Sequence, residues 1–285
     1  MRTRNHVKKT LAIITSAIGV LSMALVAAPT ATAAPNGNIV AIGDSFTANP
    51  DQFRNAVRDI PGSVDGYPRK GGRLQSPDNW PRQMASRHKL SVTDWSCASL
   101  TSGGMLPRID RAITAGDLHA GTRSVVLAVG KNNYSPFTAP TDDSLLNPAA
   151  VRTSHLADVR AAARKIRSVA PNTKIIISGA LPMVDRTTMM FCAVNVVPNV
   201  PAGLPVPVLR DVENWNRCNQ KEAARQIGGH YVEMIDGARG HDTCASDRDP
   251  SVSGIIDTTT PRYNMAFHPS YAGSRYIVSQ LVSVV

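Results

Sequence analysis

Apolar and polar positions along this chain fall into two alternating kinds of segment. Short runs of consecutive apolar, mostly β-branched residues close on glycine: residues 38–42 run into Gly43 and residues 124–129 into Gly130. Residues 174–178 (Lys-Ile-Ile-Ile-Ser) form a third run after the turn at Asn172-Thr173, and residues 91–96 and 231–235 are two further candidates. Runs of this length without alternation predict strands buried on both faces. Between them, residues 151–170 repeat apolar side chains at three- and four-residue steps (Leu156, Val159, Ala163, Ile166, Ala170), with Arg and Asp on the opposite side. That spacing predicts an amphipathic helix. Helices are also predicted over 80–90, 109–118, 208–226 and 270–282, the first opened by Ser76-Pro77-Asp78 and the third stopped by Gly228-Gly229. Buried strands alternating with amphipathic helices imply an α/β sandwich built on a parallel sheet. In such sheets ligands bind beyond the carboxyl ends of the strands, the end at which Gly43 and Gly130 stand.

The first thirty-three residues break this pattern. Arg2, Arg4, Lys8 and Lys9 precede an uncharged, mostly apolar run over 11–28, and Ala31-Thr32-Ala33 places small residues where a signal peptidase reads. This is the three-part layout of a secretory leader, so residues 1–33 are read as a signal peptide and 34–285 as one domain. A retained N-terminal anchor is the competing reading, because the apolar run approaches the length of a short span. The expected location is secreted, extracellular or in the cell envelope.

Charge changes the picture little. Removing the leader's four cations leaves 27 Lys and Arg against 21 Asp and Glu, a net of +6. The excess is dispersed, and aromatic residues are only 5% of the chain, which argues against a stacking platform for nucleic acid. Mild peripheral attraction to an anionic envelope fits the charge, although a solvated basic face is the simpler reading. The expected state is a monomer. Cys97, Cys192, Cys218 and Cys244 include no close Cys-x-x-Cys pair, so zinc is disfavoured. In an exported chain they predict two disulfides, in any of three connectivities.

Three short stretches carry candidate chemistry. Gly43-Asp44-Ser45-Phe46 follows the first strand, and a tight strand-to-helix turn exposes a serine hydroxyl beside free backbone N–H groups. The plain alternative is a turn in which Ser45 caps the next helix. Gly130-Lys131-Asn132-Asn133 follows the third strand in chain order, where an asparagine amide at Asn132 can donate to an oxyanion formed at Ser45. His268-Pro269 precedes the last helix and supplies an imidazole as base. Of the other six histidines, His6 lies in the leader, His88, His119 and His155 fall in expected surface helices, and His230 begins a strand. His241, beside Asp242 in a loop, is the one rival and would suit a metal-dependent hydrolase.

In this order the three stretches resemble the SGNH (GDSL-type) hydrolase family, in particular its secreted actinobacterial esterase- and lipase-like members. The resemblance runs from Ile39 to His268-Pro269-Ser270-Tyr271-Ala272-Gly273. It implies a flavodoxin-like three-layer α/β/α sandwich with about five parallel strands, and hydrolysis of carboxylic esters through an acyl-enzyme. By that resemblance Ser45 is nucleophile and backbone oxyanion donor, Asn132 the side-chain donor and His268 the base, with neither metal nor cofactor. The expected substrate is an acyl-ester small molecule or an envelope glycolipid. The matching stretch for the family's second block is Asp94-Trp95-Ser96-Cys97-Ala98-Ser99, with Ser99 where the family carries the glycine whose N–H completes the oxyanion hole. Where the family places an aspartate, three residues before the histidine, this chain has Met265. A backbone carbonyl around Met265, or the carboxylate of Asp257, is then expected to orient His268, leaving a Ser-His dyad. Two alternatives accompany this reading: a cell-envelope acyltransferase, and a non-catalytic envelope or glycan-binding protein that has lost its acid. Residues 187–209 carry no charge but eight Val and Leu among four prolines. They are expected near the active-site rim, either as an apolar wall or as an insertion held by Cys192.

Overall fold

The computed structural model describes residues 37–134, 147–247 and 249–285, and the leader read at residues 1–33 lies outside them. In chain order the elements are β1 (Ile39–Gly43), α1 (Ser45–Ala48), α2 (Gln52–Ala56), β2 (Arg69–Lys70), β3 (Arg73–Leu74), α3 (Trp80–His88), β4 (Val92–Asp94) and α4 (Met105–Thr114). They continue with β5 (Ser124–Ala128), α5 (Pro148–Val169), β6 (Lys174–Ser178), β7 (Met190–Asn195), β8 (Ala202–Pro205), α6 (Pro207–Ile227), β9 (His230–Val232), β10 (Ile256–Asp257) and α7 (Tyr271–Leu281).

The five apolar runs pair in parallel in the order β4-β1-β5-β6-β9. Alternation along β1 divides the core in two. Val40 and Ile42 face Met105 and Ile109 of α4, Val159 and Ile166 of α5 and Ala223 of α6. Ile39 and Ala41 face Trp80 and Met84 of α3 and Ile277, Val278 and Leu281 of α7. The result is the three-layer α/β/α sandwich with helices on both faces of a parallel sheet. Numbered by sequence, the strand order is 2-1-3-4-5, and the reversal of direction falls between β1 and β5. Loops after those two strands, where such folds bind ligands, carry Ser45 and Asn132.

Two expectations change. One disulfide forms, Cys192–Cys244, while Cys97 is buried and free and Cys218 is exposed and free. Cys97 cannot join Cys218 because it lies in the loop after β4, whereas Cys218 sits on the outer side of α6. His155, expected on a helix surface, is buried on the inner face of α5, in phase with Val159, Ala162 and Ile166. Residues 187–209, expected as an apolar wall or as an insertion held by Cys192, contain β7 and β8, which pair and take β10 as a third strand. The disulfide pins this small sheet through β7.

Candidate active site

Gly43 ends β1 because no side chain fits there: a Cβ would meet Thr47 Oγ1 at 2.1 Å. The chain then turns at once into α1. Asp44 is its N-cap, accepting from the Phe46 N–H at 2.9 Å, so Ser45 occupies the first helical position. The register places the neighbouring loops alongside: Asp44 N–H donates to Ala128 O (3.1 Å) and Cys97 N–H to Gly43 O (2.9 Å). Ser45, Ser99 and Asn132 therefore follow the carboxyl ends of three adjacent strands, β1, β4 and β5.

The loop after β4 is held from beneath. Arg108 of α4 donates to the carbonyls of Trp95 (3.0 Å) and Ser96 (3.2 Å), and Gln75 donates to Asp94 O and Ser96 O. This fixes Ser99 in the left-handed region at φ 64°, where glycine is at ease and a serine costs about 1 kcal/mol. The backbone there adopts the angle a glycine would take, and the N–H is retained. Asn132 donates from Nδ2 to Leu100 O at 3.1 Å, tying the β5 loop to the same segment. Its neighbour Asn133 braces that segment, accepting from Ser102 N–H at 2.9 Å and donating to Ser102 Oγ at 2.7 Å.

His268 reaches the site from the loop before α7. Asn49, the C-cap of α1, donates to Pro269 O at 2.8 Å, and the Phe46 ring packs 5.1 Å from the imidazole. Gln52 Oε1 accepts from Ala266 N–H at 2.9 Å. His268 Nδ1 lies 2.9 Å from Ala266 O. A carbonyl only accepts, so Nδ1 carries the proton and Nε2 the lone pair. Nε2 is buried and meets no hydrogen-bond partner among the described residues, so it does not bond Ser45 in this resting arrangement. Such contacts are often long before substrate binds.

The backbone carbonyl expected around Met265 is found at the next residue, Ala266, whereas Asp257 is engaged elsewhere. Met265 O accepts from Ser253 Oγ at 3.1 Å, and the carbonyl one residue further on is the one that turns toward the ring. Asp257 accepts from Gly254 N–H, Thr260 N–H and Thr260 Oγ1 within 2.8 Å, closing a turn of its own. Those donors hold its carboxyl below the usual range although burial opposes them. Phe267, at φ 66°, makes the corner that aims His268, and Phe191 of β7 packs against it edge-on at 5.2 Å.

Burial shapes the electrostatics. It pushes His268 down to about 4, the Ala266 carbonyl opposing and the Lys131 ammonium adding to the fall. Asp44 is raised to about 6 by burial, which the Lys131 charge opposes. Lys131 is lowered to about 8 by burial against the pull of Glu213 and Asp44. Its buried Nζ stands 3.3 Å over the Phe46 ring. Sequence reasoning missed Lys131, whose signal was its place between Gly130 and Asn132.

His241 bonds Asp249 O through Nδ1 at 2.9 Å, and Asp242 Oδ1 accepts from Cys244 N–H. Among the described residues no group of three His, Cys, Asp or Glu side chains is placed to hold a metal ion. No helix among them is long and apolar enough to cross a membrane.

A serine at the switch point of a 2-1-3-4-5 sheet, with an asparagine in the loop after the next strand and a histidine before the last helix, defines a class of three-layer α/β hydrolases. Residues 41–276 match the GDSL-like lipase/acylhydrolase family, and the chain belongs to it. Lipase 2 of Streptomyces coelicolor is 25% identical over 96% of this chain and 94% of its own. The fold is similar to phospholipase A1 from Streptomyces albidoflavus (TM-score 0.61, 15% identity, 88% of this chain and all of that one). It is also similar to an extracellular lipase from Streptomyces rimosus (TM-score 0.60, 15% identity, 87% of this chain and all of that one).

Proposed function

We propose that the protein is a secreted serine esterase that cleaves carboxylic esters of lipids or acylated sugars through an acyl-Ser45 intermediate. One observation carries this reading: Ser45, Ser99 and Asn132 follow three adjacent strand ends, and the His268 loop is fastened onto the helix that begins at Ser45. Ser45 Oγ attacks the ester carbonyl while Nε2 of His268 takes its proton. The oxyanion is met by the N–H groups of Ser45 and Ser99 and by the Asn132 amide. The imidazolium returns its proton to the departing alcohol. A water molecule, deprotonated in turn by His268, then releases the acid. Ala266 O replaces a carboxylate as the group that fixes the tautomer, making a dyad rather than a triad.

The small sheet supports an apolar acyl group. Val196, Val197, Val200, Leu204 and Ile256 are all exposed on or beside it, and β7 reaches the His268 loop through Phe191 and Phe267. Export is supported by the leader pattern at residues 1–33 and by the extracellular relative. The test is labelling of folded protein with a fluorophosphonate, followed by a chain-length series of nitrophenyl esters on wild type and Ser45→Ala. The expected result is one adduct on Ser45 and loss of turnover in the variant. Absence of an adduct would sink the esterase in favour of a binding protein.

A further inference from the structure

Beside Ser99 an open cleft of about 350 Å³ runs between the loop after β4, the strand β3 and the turn after α2. Its walls include Arg58, Arg73, Asn55, Ser99, Thr101 and Gly104, and no carboxylate among the described residues. Arg73 has no ion-pair partner among the described residues, whereas Arg58 lies 3.6 Å from the exposed Asp59. Gly104 is the N-cap of α4, so the positive end of that helix meets the cleft. Its first N–H groups are already engaged: Gly104 N–H donates to Thr101 Oγ1, and Met105 N–H to Thr101 O. The helix therefore adds field rather than hydrogen bonds. Behind the wall, the buried Arg108 guanidinium adds to the positive field. Cys97 in the same wall feels Arg108, Arg73 and Arg111, with Asp44 as the opposing charge.

A cleft whose described walls carry two guanidiniums and hydroxyls but no acid is matched to a tetrahedral oxyanion, since guanidinium pairs with phosphate through parallel N–H bonds. We propose that this cleft seats the alcohol half of the ester, and that this half carries a phosphate-type anion which Arg73, aided by Arg58, binds. The proposal rests on the esterase reading, because Ser99 is what joins the cleft to the scissile carbonyl. A negatively charged leaving half bound here is held by side chains that take no part in bond breaking. Its effect is therefore expected in KM.

The test compares short-chain acyl esters of glycerol and of glycerol 3-phosphate, both as dissolved monomers. Wild type, Arg73→Gln, Arg58→Gln and Ser45→Ala are measured on each. Wild type is expected to favour the phosphate ester by about tenfold in kcat/KM, equivalent to about 1.4 kcal/mol, mainly through KM. Arg73→Gln is expected to erase most of that ratio and Arg58→Gln a smaller part. Glycerol 3-phosphate, and not glycerol, should compete with the neutral ester on wild type, which tests the cleft without a variant. A wild-type ratio near one, or a ratio that Arg73→Gln leaves intact, overturns the proposal. So does a preference seen only with anionic phosphatidylglycerol vesicles and absent with monomers, which would place the attraction at the lipid surface. Failure of the esterase reading is separate: Ser45→Ala would then keep turnover on both esters.

Discussion

Lowering the assay pH from neutrality toward 4 titrates the one group that the proposed chemistry needs in its neutral form. An exposed imidazole would be half protonated near 6.5, whereas His268 holds its lone pair down to about 4. That displacement is worth about 3 kcal/mol against the imidazolium. The value is a ceiling, since the ring as a whole is half-buried even though Nε2 is shut off from solvent. The pH dependence of kcat/KM reports the free enzyme, so its acid limb should fall near pH 4 to 5 rather than 6 to 7. The assay is nitrophenyl butyrate hydrolysis read at the isosbestic wavelength of phenol and phenolate, with activity re-measured after return to neutral pH to separate titration from unfolding. Met265→Asp supplies the companion arm. A carboxylate that reaches Nδ1 from this position would stabilise the imidazolium, so the limb should move up in pH while kcat at neutral pH rises. A wild-type limb between 6 and 7, or no movement in Met265→Asp, would refute a dyad oriented by a carbonyl.

Three further outcomes follow from the same geometry. His155, buried and unpartnered at Nε2, is also lowered to about 4 by burial. A histidine depressed in the folded state binds its proton first in the unfolded chain, so stability present above pH 6.5 is lost as pH falls toward 4. His155→Leu should flatten that loss in urea titrations by up to about 3 kcal/mol while leaving the acid limb of activity unmoved. Ser99→Gly relieves a left-handed serine and should keep activity with stability raised by up to about 1 kcal/mol; a loss of stability by urea melt would contradict the strain. Cys192 and Cys244 close 52 residues, so mutating both to serine removes a constraint worth about 4 kcal/mol on the chain-entropy account. The melting temperature should drop, and long-chain esters should suffer more than short ones if the β7–β8–β10 sheet meets the acyl group.

How far the sequence could be read depended on whether a structural role had a local signature. The three central strands β1, β5 and β6 were visible because each is a near-continuous apolar run, as a strand buried on both faces of a parallel sheet requires. The long helices at 148–169 and 207–227 announced themselves by their period. The pair β7–β8 was hidden because Pro198, Pro201 and Pro205 mask its strand character, and its partner β10 lies some fifty residues downstream. His155 was misplaced for a related reason: helical period identifies a buried face, but a polar residue on that face is discounted until the packing shows it there. At the site, residue types were legible and relations were not. Ser45, Ser99, Asn132 and His268 stand in short motifs, whereas the carbonyl that orients His268 belongs to Ala266, and no side chain could have marked it. Lys131 shows the same limit from the other side. Its charge lies over Phe46, opposes the rise of Asp44 and deepens the fall of His268, so three proton equilibria meet at one ammonium. Asp44 begins the helix that presents Ser45, the proposed nucleophile, and His268 must stay neutral for its proposed role as base. Lys131 acts on both in the direction that keeps the imidazole neutral and the cap ionised, the state in which the proposed Ser-His dyad rests.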